Sequence, residues 1–298
     1  MSHQYPIAVT GVAGQLGRQV IKYLLDNLQV PAQHIVALTR DTTKLVEVAA
    51  QGVEVRHADF DNTTTLADAF KGVQRLLLIS TDTLGLPGKR LEQHKNAIAA
   101  AEQAGVKHVI YTSMPKPEGS AITFAGDHLG TEQALAASNM SWTILRNNWY
   151  FENLFMETEH ILASGQWFSA AGDGRSAHIA RADLALAAAH ALASGDTTNK
   201  TYTLSGAKAY RTQDMAELLS KVSGKPIAVV PITDEQKQAD LTQAGLPPAL
   251  AEIFASFDIN TRQGGVAEVT DHFKQLTGKE PTPFEQWLDA HKNLFAVA

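Results

Sequence analysis

The chain has 298 residues, room for one large domain or one and a half, and its 44% hydrophobic and 19% charged content describes an ordinary soluble globule. A net charge of −6 gives no support to a nucleic-acid or anionic-membrane partner, and zero cysteines exclude disulfides, thiolate metal sites and cysteine nucleophiles. No run of about 18 apolar residues and no basic-then-apolar start occurs, so membrane insertion and secretion are disfavoured and a cytoplasmic setting is expected.

The first predicted element is an apolar strand at 7–9. It runs into Thr10-Gly11-Val12-Ala13-Gly14-Gln15-Leu16-Gly17, and an amphipathic helix follows at once. That order suits a backbone that holds a pyrophosphate. Gly11 permits the tight exit from the strand, Gly14 lets the main chain approach phosphates, and Gly17 lets the helix pack on the sheet. Glycines alone are weak evidence; the strand before and the helix after supply the context the motif needs. A plain strand–turn–helix connection is the alternative.

A second strand over 34–38 leads to Thr39-Arg40-Asp41. The residue after this strand lies near the adenosine ribose, roughly 20 residues beyond the glycines. An acid there takes the two ribose hydroxyls of NAD, whereas Arg40 suits the 2′-phosphate of NADP. Asp41 is adjacent and is expected to cap a helix over 42–51, with Lys44 one turn in as a second cation. The alternative for Arg40 is a solvated loop residue.

A strand over 53–57 follows, and Asp59 and Phe60 at its end sit either by the adenine or at the core edge. Next come a helix over 63–71, a strand over 75–80, and a Gly/Pro loop over 81–89. A long helix then runs to Ala104, followed by a strand over 106–113, a helix over 127–138 and a strand over 142–146. This alternation predicts an α/β Rossmann architecture, a doubly wound parallel sheet with ligands beyond the strands' C-terminal ends. Thr112 and Ser113 end a strand where they either orient a nicotinamide or merely close the strand.

After Asn147 the pattern changes. A helix over 150–164, a glycine-rich turn, an alanine-rich helix over 181–194 and a strand over 201–205 are predicted, then a mostly helical remainder with one strand over 227–232. A cofactor-binding domain over 1–150, with about 175–206 returning to it, is expected beside a smaller, partly interleaved C-terminal lobe over 151–298. The alanine-rich stretch could pack a partner helix in a homodimer; burial on its own sheet is the simpler alternative.

No tyrosine of the six has a lysine four residues on, so the Tyr-x-x-x-Lys acid of short-chain dehydrogenases is missing. His128 and Tyr150 are the candidates left for a catalytic role. His128 and Glu132 stand i, i+4 on one helix face, where an ordinary surface pair is the alternative. No Gly-x-Ser-x-Gly or His-Glu-x-x-His occurs. His34, His57, His94, His108, His160, His178, His190, His272 and His291 read as surface or edge residues, and no metal site is proposed. What remains is hydride transfer to an acceptor that needs no protein acid, such as a quinone or a cationic dye, by near-attack positioning.

Several motifs together resemble the NmrA-like atypical short-chain dehydrogenases, most closely their quinone-reductase and triphenylmethane-reductase members. They are the glycine run at 10–17, Arg40, Leu77-Leu78-Ile79-Ser80, the run over 105–113, His128-Leu129-Gly130-Thr131-Glu132, and Leu145-Arg146-Asn147-Asn148-Trp149-Tyr150-Phe151-Glu152-Asn153. The resemblance implies that NADPH binds without a Tyr–Lys pair. Gly11, Val12, Ala13, Gly14, Gln15 and Leu16 would contact the pyrophosphate, Arg40 the 2′-phosphate, and Ser80 and Thr81 would run along the cofactor. Arg146, Asn147, Asn148, Trp149, Tyr150 and Phe151 would lie near the nicotinamide half, with Arg181 entering from the next segment. Interlobe core is the alternative for residues 149–151, and a pair with Asp183 the alternative for Arg181. Val12-Ala13 departs from the usual Ala-Thr, and Asn148 stands where glycine is common. The implied function is NADPH-dependent reduction of a small quinone-like acceptor. A dye reductase, or a redox sensor that reads NADP(H) without turnover, remains the other option.

Overall fold

The computed structural model describes residues 5–295. Its main sheet is built from β1 (Ile7–Val9), β2 (Ile35–Thr39), β3 (Glu54–His57), β4 (Arg75–Leu78), β5 (His108–Ser113), β6 (Ser141–Asn147) and, after β7 (Gln166–Ser169) and β8 (Arg175–Ser176), β9 (Lys200–Leu204). These seven strands pair parallel throughout in the order β3-β2-β1-β4-β5-β6-β9. The central strands are buried on both faces, which is why they read as unbroken apolar runs rather than alternating ones. Alternate residues feed two cores: Ile7 and Val9 face one side, Ala8 the other. The doubly wound α/β architecture expected from the pattern is what forms, with β9 returning beside β6.

The first face is covered by α1 (Gln15–Lys22) and the second by α3 (Thr63–Ala69), α4 (Lys89–Gln103) and α5 (Ala125–Ala137), with the short α2 (Val46–Ala50) beyond β2. Gly17 decides how close α1 comes. A Cβ there would lie 2.6 Å from the Gly11 carbonyl oxygen and 2.8 Å from the Val12 Cα, so only glycine permits the approach. The helix expected over 42–51 is a 3₁₀ turn at Thr42–Leu45 followed by α2, because the Asp41 carboxylate accepts from the Thr43 amide at 3.1 Å and tightens the first turn. The helix expected over 150–164 likewise starts as a 3₁₀ turn, Phe151–Leu154, before α6 (Phe155–Ser164).

The alanine-rich helix is α7 (Arg181–Ala193). Ala185, Ala187, Ala188 and Ala189 are buried in the first core, so its small side chains serve close packing within the chain rather than a partner helix. Arg75, at the start of β4, fixes the end of α7 by donating to the carbonyls of Leu192 (3.0 Å), Ala191 (3.0 Å) and Asp196 (2.8 Å).

The C-terminal lobe adds β10 (Tyr210–Arg211), α8 (Thr212–Ser223), β11 (Ala228–Pro231), α9 (Asp234–Gln243), α10 (Pro248–Arg262), α11 (His272–Thr277), α12 (Phe284–Ala290) and α13 (Lys292–Phe295). Its core is aromatic: Phe151 stacks on Phe284 at 4.8 Å, beside Trp287 and Phe295. The strand expected over 227–232 is β11, paired in parallel with β7, a strand the pattern did not reveal. Among the described residues no helix is long and apolar enough to cross a membrane.

Candidate functional site

A groove of about 290 Å³ opens at the C-terminal ends of β1, β2, β3 and β4. Gly11, Ala13, Gly14, Gln15, Leu16, Arg40, Ser80 and Thr81 all line it, as do Asp59 and Phe60. Val12 does not. Its side chain is fully buried and its amide donates to the Leu38 carbonyl, which ties the glycine loop to β2 and leaves no group for a phosphate.

The residues present fit a dinucleotide. No side chain caps α1 and no acid stands in its first turn, so its free amides and the positive end of its dipole face the groove. Gly14 keeps the floor clear, since a Cβ there would crowd the Gly11 oxygen at 3.3 Å. Thr81 Oγ1 and Gln93 Oε1 are sealed in the wall without hydrogen-bond partners. Arg40 is free to act: its closest carboxylate is Asp82 at 4.0 Å, and both side chains are mostly exposed, a pair worth little. Asp41 is turned away, occupied with the Thr43 amide and hydroxyl, and its carboxyl is held below the usual range mainly by the Thr43 hydroxyl. Lys44 stands 3.9 Å from Asp41.

Behind the groove wall lies a polar cluster. The Thr81 amide donates to His94 Nε2 at 3.0 Å, so that nitrogen accepts and Nδ1 carries the proton toward Thr131 Oγ1 at 2.9 Å. The Tyr111 hydroxyl and His128 Nδ1 are hydrogen-bonded at 2.8 Å. Burial, with Arg90 nearby, pushes His94 down to about 3 and His128 well below its ordinary value, while burial raises the Tyr111 phenol. His94 and His108 are fully buried, which corrects the expectation of surface or edge positions. His108 bonds Ser141 and Thr143 in the neighbouring strand. His128 and Glu132 are not a surface pair either. Both are buried, and Glu132 accepts from Arg146 (3.0 and 2.6 Å) and Ser113 (2.6 Å). Thr112 Oγ1 accepts from the Ser80 amide at 2.8 Å, so these two strand-end hydroxyls brace neighbouring elements.

Arg90 is the feature that motif reading missed. Its guanidinium is buried over the Phe124 ring at 4.9 Å, its Nε has no partner, and burial lowers its pKa despite Tyr111, Asp127, Tyr150 and Asp82 acting from a distance. Arg90, Gln93 and His94 stand i, i+3, i+4 in register with the buried Ala97 and Ala101 of α4. Three polar residues on a helix's buried face were the available signal.

The segment after β6 divides. Arg146 is held by Glu132 and Glu118; burial opposes its charge, and the two carboxylates outweigh that. Asn147 is buried with Oδ1 unpartnered. Asn148 donates to the Val266 carbonyl at 3.0 Å and accepts from the Trp149 amide, so it clasps the lobe junction. Tyr150 lies under the Arg181 guanidinium at 5.5 Å, and burial raises its pKa, keeping the phenol protonated. Phe151 points into the C-terminal core rather than the groove, because its neighbours are Phe284 and Trp287. Asp183 accepts from Thr282 instead of pairing with Arg181.

A second cavity, about 330 Å³, lies in the C-terminal lobe. Trp149, Phe254 and Phe257 give it an aromatic wall, and the Trp149 and Phe257 rings are 4.6 Å apart. Phe257 also packs edge-on against Phe124, the ring beneath Arg90. The cavity's buried Lys237 donates to Glu157 and to the Phe168 carbonyl; burial works against its charge, but Glu157 and Asp258 prevail and raise its pKa.

A parallel doubly wound sheet with a bare helix end over a glycine cradle defines a Rossmann-type dinucleotide-binding protein. Residues 3–288 match the model of the NmrA-like family, and the chain belongs to that family. It is 39% identical over 276 residues to quinone oxidoreductase 2 of Escherichia coli, covering 93% of this chain and 95% of that one. The crystal structure of the E. coli NADPH-dependent quinone oxidoreductase complexed with NADPH superposes with a TM-score of 0.90 at 38% identity, covering 96% and 99% of the two chains. Triphenylmethane reductase of Citrobacter sp., complexed with NADP(H), gives 0.88 at 37% identity, covering 95% and 99%.

Proposed function

We propose that the protein is an NADPH-dependent oxidoreductase that passes hydride to a quinone or similar planar acceptor without a Tyr-x-x-x-Lys pair. The observation that carries this reading is Arg40, a guanidinium without a close carboxylate at the end of β2, where a 2′-phosphate lies in this fold. The likeness to a quinone reductase and a dye reductase, each crystallised with NADPH or NADP(H), supports the coenzyme and the acceptor class.

The groove would hold the coenzyme through the main chain of Gly11, Ala13, Gly14, Gln15 and Leu16, with Arg40 on the 2′-phosphate and Ser80 and Thr81 along the far wall. When bound, the reduced nicotinamide supplies the hydride. The chain's own contribution is placement and charge. The aromatic cavity excludes water and holds a flat ring. Arg90, over the Phe124 ring that packs on the cavity residue Phe257, would supply positive potential toward an acceptor oxygen that gains negative charge. Tyr150 stays a protonated donor under Arg181. His128 is buried and hydrogen-bonded to Tyr111, which favours a supporting role for it over direct proton transfer.

Arg40→Ala should weaken NADPH binding about 10–100-fold, the loss of one or two charged hydrogen bonds, and leave NADH nearly unchanged. Equal losses for both coenzymes in a calorimetric titration would overturn the coenzyme assignment. NADPH oxidation with a panel of benzoquinones and naphthoquinones tests the acceptor. No turnover above the enzyme-free rate rejects it, and equal binding of both redox forms without turnover would point to a sensor.

A further inference from the structure

The chain from Arg175 to Ile179 runs extended. Ser176 pairs with Tyr210 across β8 and β10, the Ala177 amide donates to Val266, and the Ile179 amide donates to Trp149. In an extended chain alternate side chains share a face. Ala177 and Ile179 are fully buried on one side, while Ser176 and His178 both line the C-terminal cavity on the other. The segment is pinned from behind by Gly206, whose missing side chain leaves room for the His178 carbonyl to press against it.

Ser176 Oγ and His178 Nδ1 are sealed from solvent and have no hydrogen-bond partner. A buried polar atom left unpaired is destabilising, so it asks for an explanation. The cavity's charged groups and its tyrosine are already bonded: Lys237 to Glu157, Asp258 to the Ala170 amide, Tyr210 to Glu285. Ser176 Oγ has spare capacity, and His178 has no partner beyond a weak contact with the Ser176 main chain, so the hydroxyl can rotate and the imidazole turn over toward a ligand at little cost.

We propose that Ser176 and His178 form the oxygen-reading end of the acceptor cavity, selecting flat rings that carry carbonyl or hydroxyl groups over oxygen-free rings of similar size. This rests on the acceptor reading above. Burial holds His178 down at about 4, so at neutral pH its ring is uncharged, with one nitrogen donating and one accepting. With the serine hydroxyl it matches a ring that presents a carbonyl beside a hydroxyl. An oxygen-free triarylmethane cation would leave both groups unpaired.

Trp149 and Trp167 line the cavity, so their emission reports its occupancy. The experiment titrates NADP⁺-saturated protein with 2-hydroxy-1,4-naphthoquinone and with naphthalene, correcting for absorbance. Wild type should bind the oxygenated ring at least about tenfold more tightly, as one or two hydrogen bonds allow. Ser176→Ala/His178→Phe should bring the two affinities within about twofold by weakening the oxygenated ring alone. Ser176→Ala by itself should narrow the gap without lowering Tm, since the hydroxyl it removes has no partner. No preference in wild type, a preference that survives the double variant, or equal weakening of both rings overturns the assignment. If neither ring enters while quinones are still reduced, this assignment falls and the reductase reading stands. If the oxygen preference is present but no quinone is turned over, the reductase reading falls and the pocket chemistry stands.

Discussion

The floor of the groove at the ends of β1, β2, β3 and β4 is the glycine loop of Gly11 and Gly14 and the bare start of α1, whereas the C-terminal cavity is lined by side chains from segments as far apart as Trp149 and Thr261. Main-chain sites tolerate few substitutions at a handful of positions and offer the same chemistry in any chain that folds this way. Side-chain sites can be re-cut residue by residue without disturbing the sheet. A constant donor site beside an adjustable acceptor site is what such a division of materials permits.

The comparison breaks most sharply at Gly17. Gly17→Val would drive atoms into the Gly11 carbonyl and the Val12 backbone, at a cost of roughly 3 kcal/mol, and should abolish NADPH binding. Calorimetry of unfolding and a coenzyme titration check this, and retained NADPH affinity would show that the cradle tolerates a displaced helix. Arg90 sharpens the link between the two sites. Replacing a buried, unpaired guanidinium with an apolar side chain removes a desolvated charge, so Arg90→Met should stabilise the fold by about 1 kcal/mol. It should also lower kcat about tenfold or more while NADPH affinity stays within about twofold. A lower Tm with unchanged kcat would assign Arg90 to packing alone.

Acid distinguishes the two regions more gently. His94, His108 and His128 are fully buried on the sheet side; His178 is half-buried on the cavity side. Burial, then the Arg75 charge, brings His108 down to about 4, against about 6.5 in an unfolded chain. Below that unfolded value the unfolded state binds the extra proton, so stability is complete above about pH 6.5 and declines as pH falls toward 4. Tm measured from pH 8 to 4 should be flat and then fall, and His108→Gln should shallow the fall. A slope unaltered by that substitution would place the acid sensitivity elsewhere.

These contrasts also explain what could be read in the residues. The glycine spacing, Arg40 and the Asp41 cap are local features, and all take the positions expected in the groove or its cap. The strands were legible because burial on both faces leaves continuous apolar runs, though several ends shifted by one or two residues. The partners of His128 and Glu132 were not legible, since each helix residue is satisfied by a different strand, Tyr111 from β5 and Arg146 from β6. Nor was β7, four residues directly after a helix whose ladder partner lies some sixty residues downstream. Val12 and Phe151 fit a motif by position yet face the core, because which way a side chain turns depends on neighbours that the motif does not contain.

Arg75 and β9 set a constraint on synthesis. Until residues 181–204 have left the ribosome, β6 has an open edge, Arg75 lacks the carbonyls that accept from it, and the first core lacks the alanine face that covers it. A nascent chain halted near residue 150 would therefore present a sticky ribbon instead of a finished unit.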